Sequence, residues 1–187
     1  MHKILIPLFA LAILLTSCGG GGSSTVECEN EYWDSTVGTC LPDGWVVIDR
    51  ETLKMRGVPE ETVAAFRREE SVSGQFPSIT VTKEVLSAAV SAATYSDASI
   101  RSVSVLPNYT VVESPSVKID GEEVTLHIFS AQPVPDEPAR RFYQISTVKG
   151  DIGFSITAAA PISVEKNLEE EIEFIMKGVT FERGEEE

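Results

Sequence analysis

The sequence predicts an α+β fold, an antiparallel β-sheet flanked by helices in an α/β/α sandwich, and three observations point to it. Ser78-Ile79-Thr80-Val81-Thr82-Lys83 and the run from Glu122 to Ser130 alternate apolar and polar residues, the two-residue period of half-buried strands. Asp120-Gly121 and Lys149-Gly150-Asp151 lie between apolar runs and signal tight turns, so the strands they join run antiparallel. The stretch from Ser163 to Lys177 spaces its apolar residues for one face of a long helix. Strands in hairpins with helices between and after them do not match the βαβ alternation of a doubly wound nucleotide fold.

Residues 1–17 stand outside that fold. His2 and Lys3 precede an apolar run, Ile4 to Leu15, that is interrupted only by Pro7. A run of roughly a dozen residues is too short for a membrane span, which needs about twenty. The run ends in Leu15-Thr16-Ser17-Cys18, which resembles the lipobox of bacterial lipoproteins. That resemblance makes residues 1–17 a lipoprotein signal peptide and Cys18 the diacylated N-terminus of the mature chain, palmitate being one class of acyl chain it would carry. Each buried methylene contributes about 0.8 kcal/mol, so two or more chains hold a protein stably on a bilayer.

Residues 18–26 then form the lipidated cysteine and a Gly/Ser tether, Gly19 to Ser24, with nothing to bury. A coil of that length spans roughly 15 Å, enough to lift a domain off the headgroups but not to cross an envelope. The residue after Cys18 is Gly19, not the aspartate that marks inner-membrane retention in many enteric-type bacteria. If there are two membranes, the outer is favoured.

With Cys18 given to lipid, Cys28 and Cys40 remain, twelve residues apart in an oxidising compartment, and they are expected to pair. The loop closure is worth roughly 3 kcal/mol in the chain-entropy account. Two thiols with no second Cys pair or nearby histidine do not make the usual zinc set. Within this stapled segment, residues 27–41, Asp34-Ser35-Thr36-Val37-Gly38 reads as a turn between two short extended arms. Tyr32 and Trp33 have two readings, a small ligand platform or packing of the staple onto the domain.

The main domain is expected over residues 42–183. Pro42-Asp43-Gly44 turns into a short strand, Trp45 to Ile48. Pro59 to Arg68 starts with proline and acids and ends in arginines, which suits the helix dipole and predicts a helix. After the strand at Ser78 to Lys83, Ile100, Val103 and Leu106 predict a helix from about Ser96 to Leu106, capped by Ser96 or Asp97 and ended by Pro107-Asn108. Tyr109 to Ile119 is expected as one extended segment, returning through Asp120-Gly121 into Glu122 to Ser130 with Val124, Leu126 and Ile128 on one face. A proline-rich loop, Pro133 to Pro138, precedes strands at Arg140 to Val148 and Ile152 to Ala158. The last helix buries Leu168, Ile172, Ile175 and Met176, stops at a C′ Gly178, and is followed by a short strand, Val179 to Glu182. Residues 184–187 are expected as a disordered acidic tail.

This order of parts resembles the PsbP-like superfamily, which includes the extrinsic photosystem II protein, Ran-binding Mog-type proteins and many bacterial envelope lipoproteins. The likeness is carried by Pro42-Asp43-Gly44-Trp45, Phe76 to Val81, Leu106-Pro107-Asn108-Tyr109 through Val117 to Gly121, Val148-Lys149-Gly150-Asp151 and the closing helix-Gly-Val-Thr-Phe. It covers roughly Leu41 to Glu182 and contains no catalytic motif. The resemblance implies a sheet flanked by helices in a non-enzymatic adaptor or accessory protein. The lipobox and the Cys28 to Cys40 staple depart from the photosynthetic members, so a photosystem role does not carry over.

Charge and motifs narrow the function. The formal charge is −14, and removing Lys3 with the leader takes it to −15, a surface that repels nucleic acid and anionic headgroups. No phosphate loop, nucleophile elbow or zinc-protease motif is present, and no cofactor or metal is implied. Outside the leader the one histidine is His127, placed with Thr125 and Phe129 on the strand face opposite Leu126, where it is a lone base or ligand or, in the favoured reading, a structural histidine with its hydrogen bonds met. Glu169-Glu170-Glu171 reads as solvated helix surface, and Asp136-Glu137 and Glu122-Glu123 lack the spacing of a calcium loop. The expectation is a membrane-anchored envelope lipoprotein that binds an envelope protein or small ligand through its sheet face or the Pro133 to Pro138 loop. The alternative is an envelope hydrolase or ligand-processing enzyme using carboxylates, whose pairs leave no local signature.

Overall fold

The computed structural model describes residues 26–183. The stapled segment is a two-stranded hairpin, β1 (Asn30–Trp33) and β2 (Gly38–Leu41). Asp34 makes its turn, accepting at Oδ1 from the backbone N–H groups of Thr36 and Val37, both at 2.9 Å. Then follow β3 (Trp45–Val47), α1 (Arg50–Met55), β4 (Thr62–Arg68), β5 (Ser78–Val85), α2 (Ala92–Val103), β6 (Thr110–Glu113), β7 (Ser116–Ile119), β8 (Glu122–Ala131), β9 (Arg140–Lys149), β10 (Ile152–Pro161) and α3 (Lys166–Lys177).

The main sheet is antiparallel throughout, in the order β3-β4-β5-β10-β9-β8-β6, with β7 also paired to β8. The helix α3 and the hairpin lie on one face and α2 lies against β8 and β9 on the other, so the expected antiparallel α/β/α sandwich is the observed architecture. Under α3 the strands contribute Leu126, Ile128, Tyr143, Ile145, Ile156, Ile79 and Phe66, all fully buried or nearly so, and α3 adds Leu168, Ile172, Ile175 and Met176. The stripe read from the sequence is thus the core face of this helix.

Several elements differ from expectation. Thr62–Arg68 is the inner strand β4, not a helix; Thr62 to Phe66 are all buried, so neither a two-residue nor a 3.6-residue period is visible in them. Pro59 and the acids after it form a turn, closed by Thr62 N–H to the Pro59 carbonyl at 3.0 Å, and Thr62 then pairs with Thr82. The sequence reading missed α1, although Asp49 caps it by accepting from Thr52 N–H at 2.8 Å. The helix α2 starts four residues before Ser96, at Ala92, because Ser91 rather than Ser96 or Asp97 supplies the cap.

Tyr109 to Ile119 is two strands rather than one. The chain breaks at Ser114-Pro115, where proline has no N–H for a ladder, and β6 and β7 pair separately with successive halves of β8. Asp120 and Gly121 form the expected hairpin turn with φ of 47° and 85°. The last helix begins at Lys166 rather than Ser163, and Gly178 ends it with φ −81°, a right-handed conformation, so the C′ left-handed stop is not formed. Val179 to Glu182 is not a strand but makes one bridge, Thr180 to Gly38.

Candidate functional site

His127 is 2 % exposed, and both ring nitrogens meet hydroxyls: Ser114 Oγ at 2.9 Å from Nδ1 and Tyr109 OH at 2.7 Å from Nε2. Burial lowers its pKa from the ordinary 6.5, so the imidazole is neutral at pH 7. The ring stacks on Phe129 at 5.1 Å, which in turn stacks on Phe142 at 5.2 Å. Ser114 and His127 make the contact of a nucleophile with its base, yet the third member is a phenol, not the carboxylate that orients and charges such a histidine. This is the structural histidine of the favoured reading. Its partners come from the Tyr109 to Ser114 segment folded back along β8.

The acids of α3 are not a free solvated face. Glu169 Oε1 accepts from Tyr143 OH at 2.9 Å and from Arg141 at 3.1 Å. Glu171 accepts from the Trp45 indole N–H at 2.9 Å and faces Arg68 at 3.6 Å. These half-buried carboxylates hold the helix to the sheet, and burial and the Glu169 bond push the Tyr143 phenol well above its ordinary pKa. Glu123 accepts from Ser116, and Glu137 pairs with Arg140. Among the described residues, no three His, Cys, Asp or Glu side chains come together as a metal site.

Cys28 and Cys40 form a disulfide, with Cα atoms 5.5 Å apart. Cys18, the tether before Val26 and residues 184–187 lie outside the described residues. No described helix is long and apolar enough to cross a membrane.

Two of the open surface regions among the described residues bear on binding. At the sheet edge, all four residues of β6 are exposed, with Val111 at 51 % and Val112 at 43 %. The Pro133 to Pro138 loop is tied beside it: Gln132 N–H donates to the Pro107 carbonyl, and its side chain links Asn108 to the Glu137 carbonyl, each at 2.8 Å. Val134, 47 % exposed, borders a small cavity of about 130 Å³ with Phe142 and Arg140. The second region is a cleft of about 670 Å³ between the stapled hairpin and the C-terminal segment, bordered by Trp33, Glu31, Thr180, Glu182 and Arg183. Tyr32 borders it too, but packs edge-on against Phe66 at 5.0 Å. The platform and packing readings thus separate, Tyr32 going to the core and Trp33 to the cleft.

No family model matches the chain, and no curated protein matches it. Solved structures do. The solution structure of cyanobacterial PsbP (CyanoP) from Synechocystis sp. PCC 6803 aligns with 88 % of this chain and 97 % of its own, at TM-score 0.52 and 14 % identity. LpqN of Mycobacterium tuberculosis, described as involved in cell envelope biogenesis, aligns with 81 % of this chain and 88 % of its own, at TM-score 0.56 and 11 % identity. Identities this low speak for the fold alone, and the architecture agrees with them: the chain has a PsbP-like α+β fold.

Proposed function

We propose that the chain is an accessory protein of a cell envelope, anchored through an acylated Cys18 and working by capture of a protein partner rather than by turnover. Where the cell has two membranes, Gly19 after the cysteine favours the outer one. One observation carries the capture reading: the unpaired side of β6 and the loop tied to it expose Val111, Val112 and Val134 together at one corner. An open strand edge offers backbone hydrogen bonds to an incoming strand, and apolar side chains beside it supply affinity. The groups that could perform chemistry are meanwhile engaged in holding the fold, His127 by two hydroxyls and Glu169 and Glu171 by α3-to-sheet bonds.

The test is photo-crosslinking of the full lipidated chain in its own envelope. A photoreactive residue at Val112 or Val134 should give one discrete adduct that is absent when the probe sits at Lys166 on α3, and Val112→Lys should abolish the Val134 adduct without changing the melting temperature. Equal adducts from all three positions would show that the corner is not a partner site.

A further inference from the structure

We infer that the cleft between the stapled hairpin and the C-terminal segment is a saccharide-binding site that seats an uncharged sugar ring against the indole of Trp33.

The hairpin is built rigidly onto the domain. The Cys28–Cys40 disulfide closes its base and the Asp34 turn its tip. Gly38 and Thr180 exchange two backbone hydrogen bonds, at 2.8 and 2.9 Å, and Thr39 donates to the Ile175 carbonyl at the end of α3 at 2.8 Å. A site between such elements is preformed, so binding spends little on ordering them.

Trp33 pairs across the hairpin with Gly38, and a Cβ at Gly38 would lie 2.6 Å from the indole ring. Glycine there lets the ring settle on the β2 backbone, which fixes its orientation while its remaining surface borders the cleft. The protein's other tryptophan, Trp45, is 3 % exposed and donates its indole N–H to Glu171. Trp33 has no such protein acceptor among the described residues. Around it, Glu31 and Arg183 likewise have no ion pair among the described residues, whereas Arg50, Arg68, Arg140 and Arg141 each face a carboxylate.

A fixed aromatic surface with an indole donor, carboxylate, guanidinium and hydroxyl groups at its rim suits a sugar. The C–H face of a pyranose packs on the ring, and its neighbouring hydroxyls both donate to Glu31 and accept from Arg183 and Trp33. Acyl chains would find charged groups on the cleft wall, and a phosphate would meet Glu31 and Glu182.

The experiment titrates the full chain carrying Cys18→Ser with cellohexaose, chitohexaose and maltohexaose, following tryptophan fluorescence and calorimetry. At least one hexasaccharide should bind saturably and perturb emission, the signal arising from Trp33 because Trp45 is buried. Trp33→Ala should weaken binding by about tenfold or more, Trp33→Phe should retain much of it, and Glu31→Gln, on the exposed first half of the hairpin, should weaken it with an unchanged melting temperature. No saturable binding of any of the three, or binding equally tight in Trp33→Ala and Glu31→Gln, overturns the inference. Binding of an oligolysine peptide with no response to sugar also overturns it, in favour of a cationic peptide drawn by the acids.

Discussion

His127 sits between two hydroxyls with its pKa held below 6.5 by burial, and this makes folding sensitive to acid over a defined window. The unfolded chain takes up a proton near pH 6.5 that the folded imidazole resists, so below that pH the unfolded state binds more protons. Stability is therefore full above pH 6.5 and falls as the pH drops toward the folded pKa, by at most about 1.4 kcal/mol per pH unit. Urea unfolding between pH 7.5 and 5 should show this slope in the wild type and its loss in His127→Gln, whose baseline stability is also lower; parallel curves would contradict the burial argument. The strand face of His127 was legible from the alternation of Leu126, His127 and Ile128. Its partners were not, because Tyr109 and Ser114 reach it only once β6 has folded back along β8. The acids of α3 teach the same lesson. Glu171, three residues after Leu168 and four before Ile175, flanks the apolar stripe, but the Trp45 indole that claims it lies 126 residues away and leaves no local signal.

At the scale of elements, legibility followed one-sided burial or, in β8, residue type. Strand β5 and the helix α3 each have a buried and an open side, so their periods appear in the sequence; β8 is covered on both sides from Leu126 to Phe129 and shows its period only because Thr125 and His127 are polar in type, whereas β4, covered on both sides with apolar residues, gives a false helix. Its charged ends, which mimic a helix dipole pattern, serve other ends, Arg68 facing Glu171 and Arg67 lying 4.8 Å over the Phe76 ring. A close approach between elements also escapes pattern reading. Where α2 crosses β10, a Cβ at Gly153 would fall 2.5 Å from the Tyr95 ring, whose hydroxyl donates to Glu84 at 2.7 Å and whose pKa burial and that bond push to about 12. Gly153→Ala should therefore displace Tyr95, cost about 1–3 kcal/mol and bring the phenol's titration back toward 10. Adding Tyr95→Leu should be less costly than the two single changes summed, because the clash is shared; strict additivity in denaturant unfolding would show that the ring and Gly153 do not oppose one another.

At the scale of the whole molecule, the proposed anchoring can be weighed against the charge and helices of the folded part. A chain of formal charge −14 is repelled by anionic headgroups, and no described helix can span a bilayer. Under the proposed anchoring, residence at a membrane would come from outside the described domain, through Leu15-Thr16-Ser17-Cys18 and the Gly/Ser stretch after it. Two acyl chains at about 0.8 kcal/mol per methylene hold against dilution, whereas a charge-borne association would dissolve in salt. If Cys18 is the anchor, the wild type should incorporate a fatty-acid analogue during growth and stay with the membrane fraction through a high-salt wash. Cys18→Ser should carry no label and partition into the soluble fraction at every salt concentration, since the acidic domain has no electrostatic reason to return. The disulfide gives an internal control: both forms should show Cys28 and Cys40 blocked to alkylation until reduced, which establishes that the soluble variant was exported and folded. Equal labelling of the two forms, or a variant that remains on the membrane through the salt wash, would place the anchor elsewhere in the chain.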